Sequence, residues 1–357
     1  MRDSRSPWGE GRLAAHRGTV GALVALLGAC ASPEPAAPLP APPALRGIGL
    51  FVRDAADGPA TFALNLGTGA TERLGAGFPA AADPLGRVAL IVQSEGGEDA
   101  HQERLCARWL TVGDGDCLPL APAARFVRNP AWTPDGEAIV FESSAASFRD
   151  LWQVSRAGGD PVRLTDAPGG SFDPAVSPDG ATLAFASSRD GDLELYRQPL
   201  GGGPAQRLTN AVGEDRVPAW RPDGARLAWI AARGDANAVA TALPDGSDLA
   251  RLSPLTDGAL AFSWSPDGRR LAVLRASAPG AHELLLVDAV RGLRLASTPA
   301  VAANAPPEWT RDGEAVLFSS SAGQESRIAA FHLADSRVSL LTTGPDWLPR
   351  VVLMPGG

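Results

Sequence analysis

The stretch Pro178-Asp179-Gly180, followed by the apolar run Thr182 to Ala186, combines a tight turn with a strand. Proline presets φ, aspartate bonds its own backbone and glycine accepts a positive φ, so this tripeptide joins two strands closely. The tripeptide recurs every 44 residues, at Pro134-Asp135-Gly136, Pro178-Asp179-Gly180, Pro222-Asp223-Gly224 and Pro266-Asp267-Gly268. Arg311-Asp312-Gly313 follows 45 residues later, and Pro84-Leu85-Gly86 precedes the series by 50. The chain is therefore built from similar units.

The surroundings of each turn repeat as well. Upstream lies Pro-x-Trp or a near relative, as in Pro130-Ala131-Trp132 and Pro218-Ala219-Trp220. Downstream come an apolar strand, a second apolar strand such as Leu193 to Gln198, and a final strand such as Gln206 to Thr209. Each unit thus predicts four short strands. A four-stranded unit cannot bury both faces alone, and six or more copies at this period close into a β-propeller. We assign the tryptophans to packing between adjacent blades.

The number of blades follows from the length of the repeat. Residues 48–357 accommodate seven units of 44 residues, but only six units carry their own turn. We expect the seventh to be split between the two ends of the chain, with Pro349 to Gly356 supplying its leading strand beside Ile48 to Arg53. The sequence therefore predicts an all-β propeller of seven four-stranded blades, closed by pairing of the N- and C-terminal strands. Six blades are the alternative.

The segment Ser187 to Tyr196, continued by Arg207-Leu208-Thr209, resembles the PD40, or WD40-like, repeats of the TolB propeller family. The resemblance extends from Ile48 to the C-terminus. It implies a propeller that docks envelope partners at the mouth of its central channel. The TolB family carries an α/β domain before the propeller, whereas we expect only a tether of about 17 residues here. A role in the Tol system is therefore left open.

The N-terminal region has the features of a bacterial lipoprotein. An apolar run from Thr19 to Leu27 is shorter than the about 20 residues that span a bilayer. It ends in Leu27-Gly28-Ala29-Cys30, which resembles a lipobox with Cys30 as the lipid-modified residue. Ala31 in place of aspartate favours the outer membrane, on its periplasmic face; an ordinary signal peptide is the alternative. The predicted domains are a signal peptide (1–29), a Pro/Ala-rich tether (30–46) and the propeller (47–357).

With Cys30 acylated, Cys106 and Cys117 remain as an even pair in an oxidising compartment. The segment between them contains Gly113-Asp114-Gly115-Asp116, a strong turn signal. A hairpin there would bring the two cysteines together, so we predict a disulfide. Two buried thiols are the alternative.

Composition and motifs argue against several functions. The chain has 40 acidic and 32 basic residues, all of the latter arginine, and a net charge of −8, so we expect no binding to nucleic acid. Outside the predicted signal peptide, His101, His282 and His332 lack the spacing of metal ligands, and no GxSxG motif occurs. We therefore expect no metal, no other cofactor and no catalytic residue.

The remaining candidate is a binding surface. The loops that lead into the innermost strands ring one mouth of the channel, and their side chains mix charge with one aromatic ring. The candidate partner-binding residues are Arg128, Asn129, Phe172, Asp173, Asp215 and Arg216. We predict a monomeric, non-catalytic, membrane-anchored propeller that binds an envelope protein or peptide segment. One alternative is a lyase or hydrolase acting on an envelope glycan, for which convergent carboxylates near the channel would be needed. Another is a binder of cell-wall polymer.

Overall fold

The computed structural model describes most of the chain from Leu45 onward. The described residues are 45, 47–56, 58–84, 88–95, 102–109, 118–121, 124, 126–144, 148–234, 236–299, 306–322, 325–342 and 346–354. The predicted signal peptide, Cys30 and most of the predicted tether lie outside these ranges and stay predictions. None of the described residues belongs to a helix long and apolar enough to cross a bilayer.

In the described residues, twenty-eight strands form seven antiparallel sheets of four strands each. Blade 1 contains β4 (Phe78–Ala82), β5 (Val88–Glu95), β6 (Gln102–Trp109) and β7 (Leu118–Pro119). Blade 2 contains β8 (Val127–Trp132), β9 (Ala138–Ser143), β10 (Asp150–Ser155) and β11 (Val162–Arg163). Blade 3 contains β12 (Ser171–Val176), β13 (Thr182–Ser187), β14 (Glu194–Pro199) and β15 (Gln206–Arg207).

The other four blades have the same order. Blade 4 contains β16 (Asp215–Trp220), β17 (Leu227–Arg233), β18 (Ala236–Ala242) and β19 (Ala250–Arg251). Blade 5 contains β20 (Ala259–Trp264), β21 (Arg270–Ala278), β22 (Ala281–Asp288) and β23 (Leu293–Pro299). Blade 6 contains β24 (Glu308–Trp309), β25 (Ala315–Ala322), β26 (Glu325–His332) and β27 (Val338–Leu340). Blade 7 combines β28 (Asp346–Met354) with β1 (Ile48–Ala55), β2 (Gly58–Asn65) and β3 (Thr71–Ala76).

The first strands of neighbouring blades contact one another in an unbroken ring, from β4 through β8, β12, β16, β20 and β24 to β28 and back to β4. Blade 7 closes this ring because β28 pairs with β1, with Ile48 opposite Met354 and Arg53 opposite Asp346. The predicted seven-bladed propeller and its closure by the two chain ends are therefore confirmed.

The repeated turns connect the first and second strands and define one face of the ring, here called the turn face. After β8, the Asp135 carboxylate accepts hydrogen bonds from the Thr133 hydroxyl (2.6 Å) and the Glu137 amide (3.0 Å). These bonds hold the pKa of Asp135 below its ordinary value. Gly136 has a φ of 70°, which glycine adopts without strain. The turn therefore forms as predicted, with a hydroxyl two residues before the aspartate as an additional partner.

The turns also pack against one another around the turn face. A Cβ atom on the turn glycine of one blade would lie 3.7 Å from Cδ of the turn proline in the preceding blade, for Gly180 with Pro134, Gly224 with Pro178 and Gly313 with Pro266. This is ordinary van der Waals contact. The same tripeptide thus shapes each turn and spaces adjacent blades.

The tryptophans at the ends of the first strands link neighbouring blades. Nε1 of Trp220 donates to the Ala175 carbonyl (3.0 Å), that of Trp264 to the Ala219 carbonyl (3.2 Å) and that of Trp309 to the Ser263 carbonyl (3.3 Å). Each acceptor belongs to the first strand of the preceding blade. The rings of Trp264 and Trp309 pack with the buried clusters between blades, as the assignment to inter-blade packing predicted.

Two further expectations concern the chain near blades 1 and 7. Leu45, which we assigned to the tether, is buried against Phe51 and Leu64, so packing of the propeller begins before residue 47. The hairpin predicted between the cysteines forms, because β6 pairs with β7 and Cys106 lies opposite Pro119. Cys106 is buried, and its Sγ lies 3.2 Å from Oε1 of Gln93. Cys117 lies outside the described residues, and its pairing with Cys106 stays a prediction.

Replacing Trp220 with phenylalanine removes the inter-blade hydrogen bond to Ala175. Trp132 occupies the same repeat position, but its Nε1 is buried without a hydrogen-bond partner among the described residues, so Trp132→Phe is a matched control. We expect Trp220→Phe to lower the free energy of unfolding by about 1 kcal/mol more than Trp132→Phe, the net value of one hydrogen bond. Urea unfolding of both variants measures the difference. Equal losses would contradict the assigned role of Trp220.

Candidate functional site

The opposite face of the ring, here called the mouth face, is where the first strands begin. Buried carboxylates lie at strand ends on this face, and arginines cover them. Arg163 pairs with Asp150 at 2.5 Å, and Arg207 pairs with Glu194 at 3.1 Å. The Thr165 hydroxyl also donates to Asp150 (3.0 Å) and accepts the Leu151 amide (2.9 Å). The recurring Arg-Leu-Thr strand therefore neutralises a buried acid in its own blade.

Three first strands carry an unusual backbone at the same repeat position. Asn129, Asp173 and Val217 have φ values of 48°, 52° and 53°, in the left-handed region, and each lies at an irregularity in the pairing of its strand. Asn129 Nδ2 donates to Asp173 Oδ1 (3.0 Å), and the Val217 amide donates to Asp173 Oδ2 (3.2 Å). These bonds connect blades 2, 3 and 4 along the ring of first strands.

A second carboxylate lies beside Asp173. Glu142, on β9, is fully buried, and its Oε1 accepts hydrogen bonds from Asn129 Nδ2 (2.7 Å) and from the Asp173 amide (2.7 Å). Burial raises the pKa of Glu142, opposed by these hydrogen bonds and reinforced by the neighbouring charge of Asp173. Burial also raises the pKa of Asp173, against the Val217 hydrogen bond and the charges of Arg216 and Arg149. Asn129 thus bridges two acids whose pKa values are both raised.

Arg149, in the loop between β9 and β10, covers this pair. Its Cζ lies 4.5 Å from the ring centroid of Phe126 and 5.3 Å from that of Phe172. Its Nη1 lies 3.4 Å from Glu142 Oε2, and its side chain is 40% exposed. A Cβ on Gly170 would lie 2.8 Å from the Arg149 carbonyl oxygen, so this close approach requires glycine. We call Phe126, Asn129, Glu142, Arg149, Phe172 and Asp173 the mouth cluster.

The predicted site residues divide into two groups. Asn129, Phe172 and Asp173 belong to the mouth cluster, and the exposed Arg128 next to it pairs with the buried Glu103. Arg216 is close enough to Asp173 to affect its pKa. Asp215, in contrast, is fully buried and pairs with Arg233 at 2.8 Å, so its side chain is not on the surface. We therefore leave Asp215 out of the candidate site.

Three residues of the mouth cluster were not predicted from the sequence: Phe126, Glu142 and Arg149. By the 44-residue repeat, Glu142 falls at the end of the apolar strand that follows the turn, in the position of Ala186. The positions 44 and 88 residues later are Ala186 and Ile230, and pairing with the first strands shows that they are structurally equivalent to Glu142. An acid in a position that blades 3 and 4 keep apolar is the signal that could have identified Glu142.

Comparison with known proteins shows the fold. The model of the tricorn protease N-terminal β-propeller domain matches residues 124–273. The crystal structure of TolB from Acinetobacter baumannii has a TM-score of 0.56 and 17% identity, over 86% of this chain and 82% of that chain. The chain has a TolB-like propeller.

Propellers of enzymes are similar as well. An oligogalacturonate lyase in complex with manganese has a TM-score of 0.56 and 16% identity, over 83% of this chain and 85% of that one. A puromycin-hydrolyzing peptidase of Mycobacterium tuberculosis has a TM-score of 0.59 and 17% identity, over 83% of this chain and 53% of that one. No curated protein matches the sequence. At these identities the TolB-like architecture is shared and the function has to be argued from the site.

In the part of the chain that the structure describes, no group of three or more His, Cys, Asp or Glu side chains is arranged to hold a metal ion. His332, one of the three histidines considered above, is buried in blade 6 and its Nε2 lies 2.7 Å from the Ser339 hydroxyl. Burial lowers the pKa of His332.

Val217 is the strained member of the left-handed series. Asparagine and aspartate tolerate this conformation, whereas a β-branched residue does not, at a cost of about 1–2 kcal/mol. We expect Val217→Asn to raise the free energy of unfolding by about 1 kcal/mol, and Val217→Ala to raise it by less. Urea unfolding measures this order. A Val217→Asn protein no more stable than wild type would show that the backbone is not strained.

The raised pKa of Glu142 predicts a pH dependence. The folded pKa lies above the unfolded value of about 4.3, so stability is greatest below that value and falls as the pH rises through the folded pKa. Glu142→Gln should therefore gain stability relative to wild type as the pH rises from about 4 to 7. The positive charge of Arg149 lowers the pKa of Glu142. Arg149→Gln removes this charge and should make the loss of stability with rising pH larger. The free energy of unfolding of each variant and of wild type is measured across this pH range. A difference between Glu142→Gln and wild type that does not change with pH would contradict the raised pKa of Glu142.

Proposed function

We propose that the protein is a non-catalytic binding module of the bacterial envelope whose mouth face binds a protein or peptide segment. In this proposal Cys30 carries a lipid anchor, the tether joins it to the propeller, and the propeller acts as a monomer at the periplasmic face of the outer membrane. The mouth cluster, with Arg128 and Arg216 beside it, is the contact surface. The TolB-like propeller supports this proposal, because the family resemblance implies docking at the channel mouth.

The observation that carries the proposal is the burial of Glu142. A catalytic acid must reach its substrate, but Glu142 is fully buried and its Oε1 already accepts two hydrogen bonds. Its contacts with Asn129 and with the Asp173 backbone suit a group that holds the mouth in one conformation. Preorganised surfaces of this kind favour binding, since less conformational freedom is lost on association. The strained Val217, 42% exposed beside Asp173, fits the same interpretation.

The alternative is an enzyme that acts on an envelope glycan. Its support is the pair Glu142 and Asp173, two neighbouring carboxylates whose pKa values are both raised, as a general acid requires. An oligogalacturonate lyase has a similar propeller, which supports this alternative at the level of the fold only. This hypothesis requires the pair to become accessible to a substrate.

Site-specific crosslinking distinguishes the two functions. A photoreactive amino acid at position 128 lies on the mouth face, and one at Val290, which is 76% exposed in the turn after β22, serves as the control. In native envelopes we expect one specific adduct from position 128, none from position 290, and loss of the adduct when Asp173→Arg is added. The same preparations are assayed for turnover of envelope glycans. Turnover by wild type that is lost in Glu142→Gln, without an adduct, would replace the binding function with the enzymatic one.

A further inference from the structure

Arg149 differs from Arg163, Arg207 and Arg233 of the mouth face in how its guanidinium is used. Arg163, Arg207 and Arg233 lie 2.5, 3.1 and 2.8 Å from their buried acids. Arg149 makes one long contact of 3.4 Å with Glu142, and no other hydrogen bond or ion pair of its side chain occurs within the described ranges. The described residues therefore provide an acceptor for one of its five N–H donors.

The surroundings of Arg149 hold the guanidinium in place. The rings of Phe126 and Phe172 lie within 4.5 and 5.3 Å of Cζ, at the distance of cation–π contacts. These contacts restrict the side chain without consuming its N–H donors. The side chain is 40% exposed, and its guanidinium carries the N–H donors as a planar fork. Such a fork matches the two oxygens of a carboxylate.

The acids behind Arg149 take up one of these donors, through the 3.4 Å contact between Nη1 and Glu142 Oε2. Glu142 is fully buried, and its Oε1 accepts hydrogen bonds from Asn129 and from the backbone of Asp173. Asp173 uses Oδ1 for Asn129 and Oδ2 for the Val217 amide. A ligand approaching this part of the mouth therefore meets a cation backed by hydrogen-bonded acids.

We propose that Arg149 is the receptor for the carboxylate of an aspartate or glutamate side chain on the bound peptide segment. This inference rests on the proposed function and adds the chemistry of the partner, an acidic peptide. The exposed Val217 next to Asp173 offers an apolar contact, so the acidic residue lies near an aliphatic or aromatic residue of the segment. Arg149 is then a binding residue, whereas Glu142 and Asn129 position the mouth.

The experiment selects peptides from a phage-displayed library of random 12-residue sequences on the immobilised propeller, in parallel with the Asp173→Arg variant. We expect wild type to enrich peptides that carry Asp or Glu beside an apolar residue. The best peptide and its Asp→Asn or Glu→Gln analogue are then synthesised, and their affinities are measured by calorimetry for wild type, Arg149→Lys and Arg163→Lys. Arg149→Lys keeps the charge beside Glu142, and its melting temperature shows whether the fold is retained.

For wild type and the matched control Arg163→Lys, we expect neutralisation of the peptide acid to weaken binding by at least about tenfold. For Arg149→Lys the same change should have a much smaller effect, because the planar fork is lost. Equal weakening in wild type and Arg149→Lys, or enriched peptides without an acid, would overturn the role of Arg149 and leave the proposed function standing. If wild type enriched no peptides beyond those selected on Asp173→Arg, both the role of Arg149 and the proposed function would be overturned.

Discussion

Antiparallel pairing between β1 and β28 joins the two ends of the described chain within one blade. The other blades depend on it because each one buries its faces against two neighbours. One buried cluster combines Leu90 and Leu105 of blade 1 with Ile139 and Phe141 of blade 2, and another joins blades 5 and 6 around Trp309. An open ring would leave two blade faces in water. Closure is thus a condition for the whole core.

The mouth cluster is made by changing side chains on a backbone that the repeat supplies. Asn129, Asp173 and Val217 share one left-handed position, yet each has a different role: a bridging donor, an acceptor and an exposed apolar group. Glu142 stands where other blades carry Ala186 or Ile230. A site can arise in this way without disturbing the blades, because strand pairing does not depend on these side chains.

Buried acids on the mouth face are stabilised in two different ways. Asp150 and Glu194 are neutralised within their own blades by Arg163 and Arg207, which makes them structural parts of the repeat. Glu142 instead obtains its hydrogen bonds from blade 2 and blade 3 together, and its arginine is held mainly by aromatic rings. The ion pairs within a blade stabilise that blade alone. The hydrogen bonds of Glu142 connect blades 2 and 3 at the proposed contact surface.

The sequence by itself determined the blades, because turn tripeptides, apolar strands and inter-blade tryptophans act locally and recur with a constant period. The same local patterns predicted the split blade from the two chain ends. Only the tertiary structure decided which polar side chains meet. Asp215 looked like a surface residue but is buried with Arg233, and Glu142 looked like the end of an apolar strand but contacts Asp173, 31 residues away. The contact between Glu142 and Asp173 depends on how neighbouring blades are oriented, and the pair of Asp215 with Arg233 depends on how the ends of β16 and β17 meet. Residue patterns along one strand encode neither.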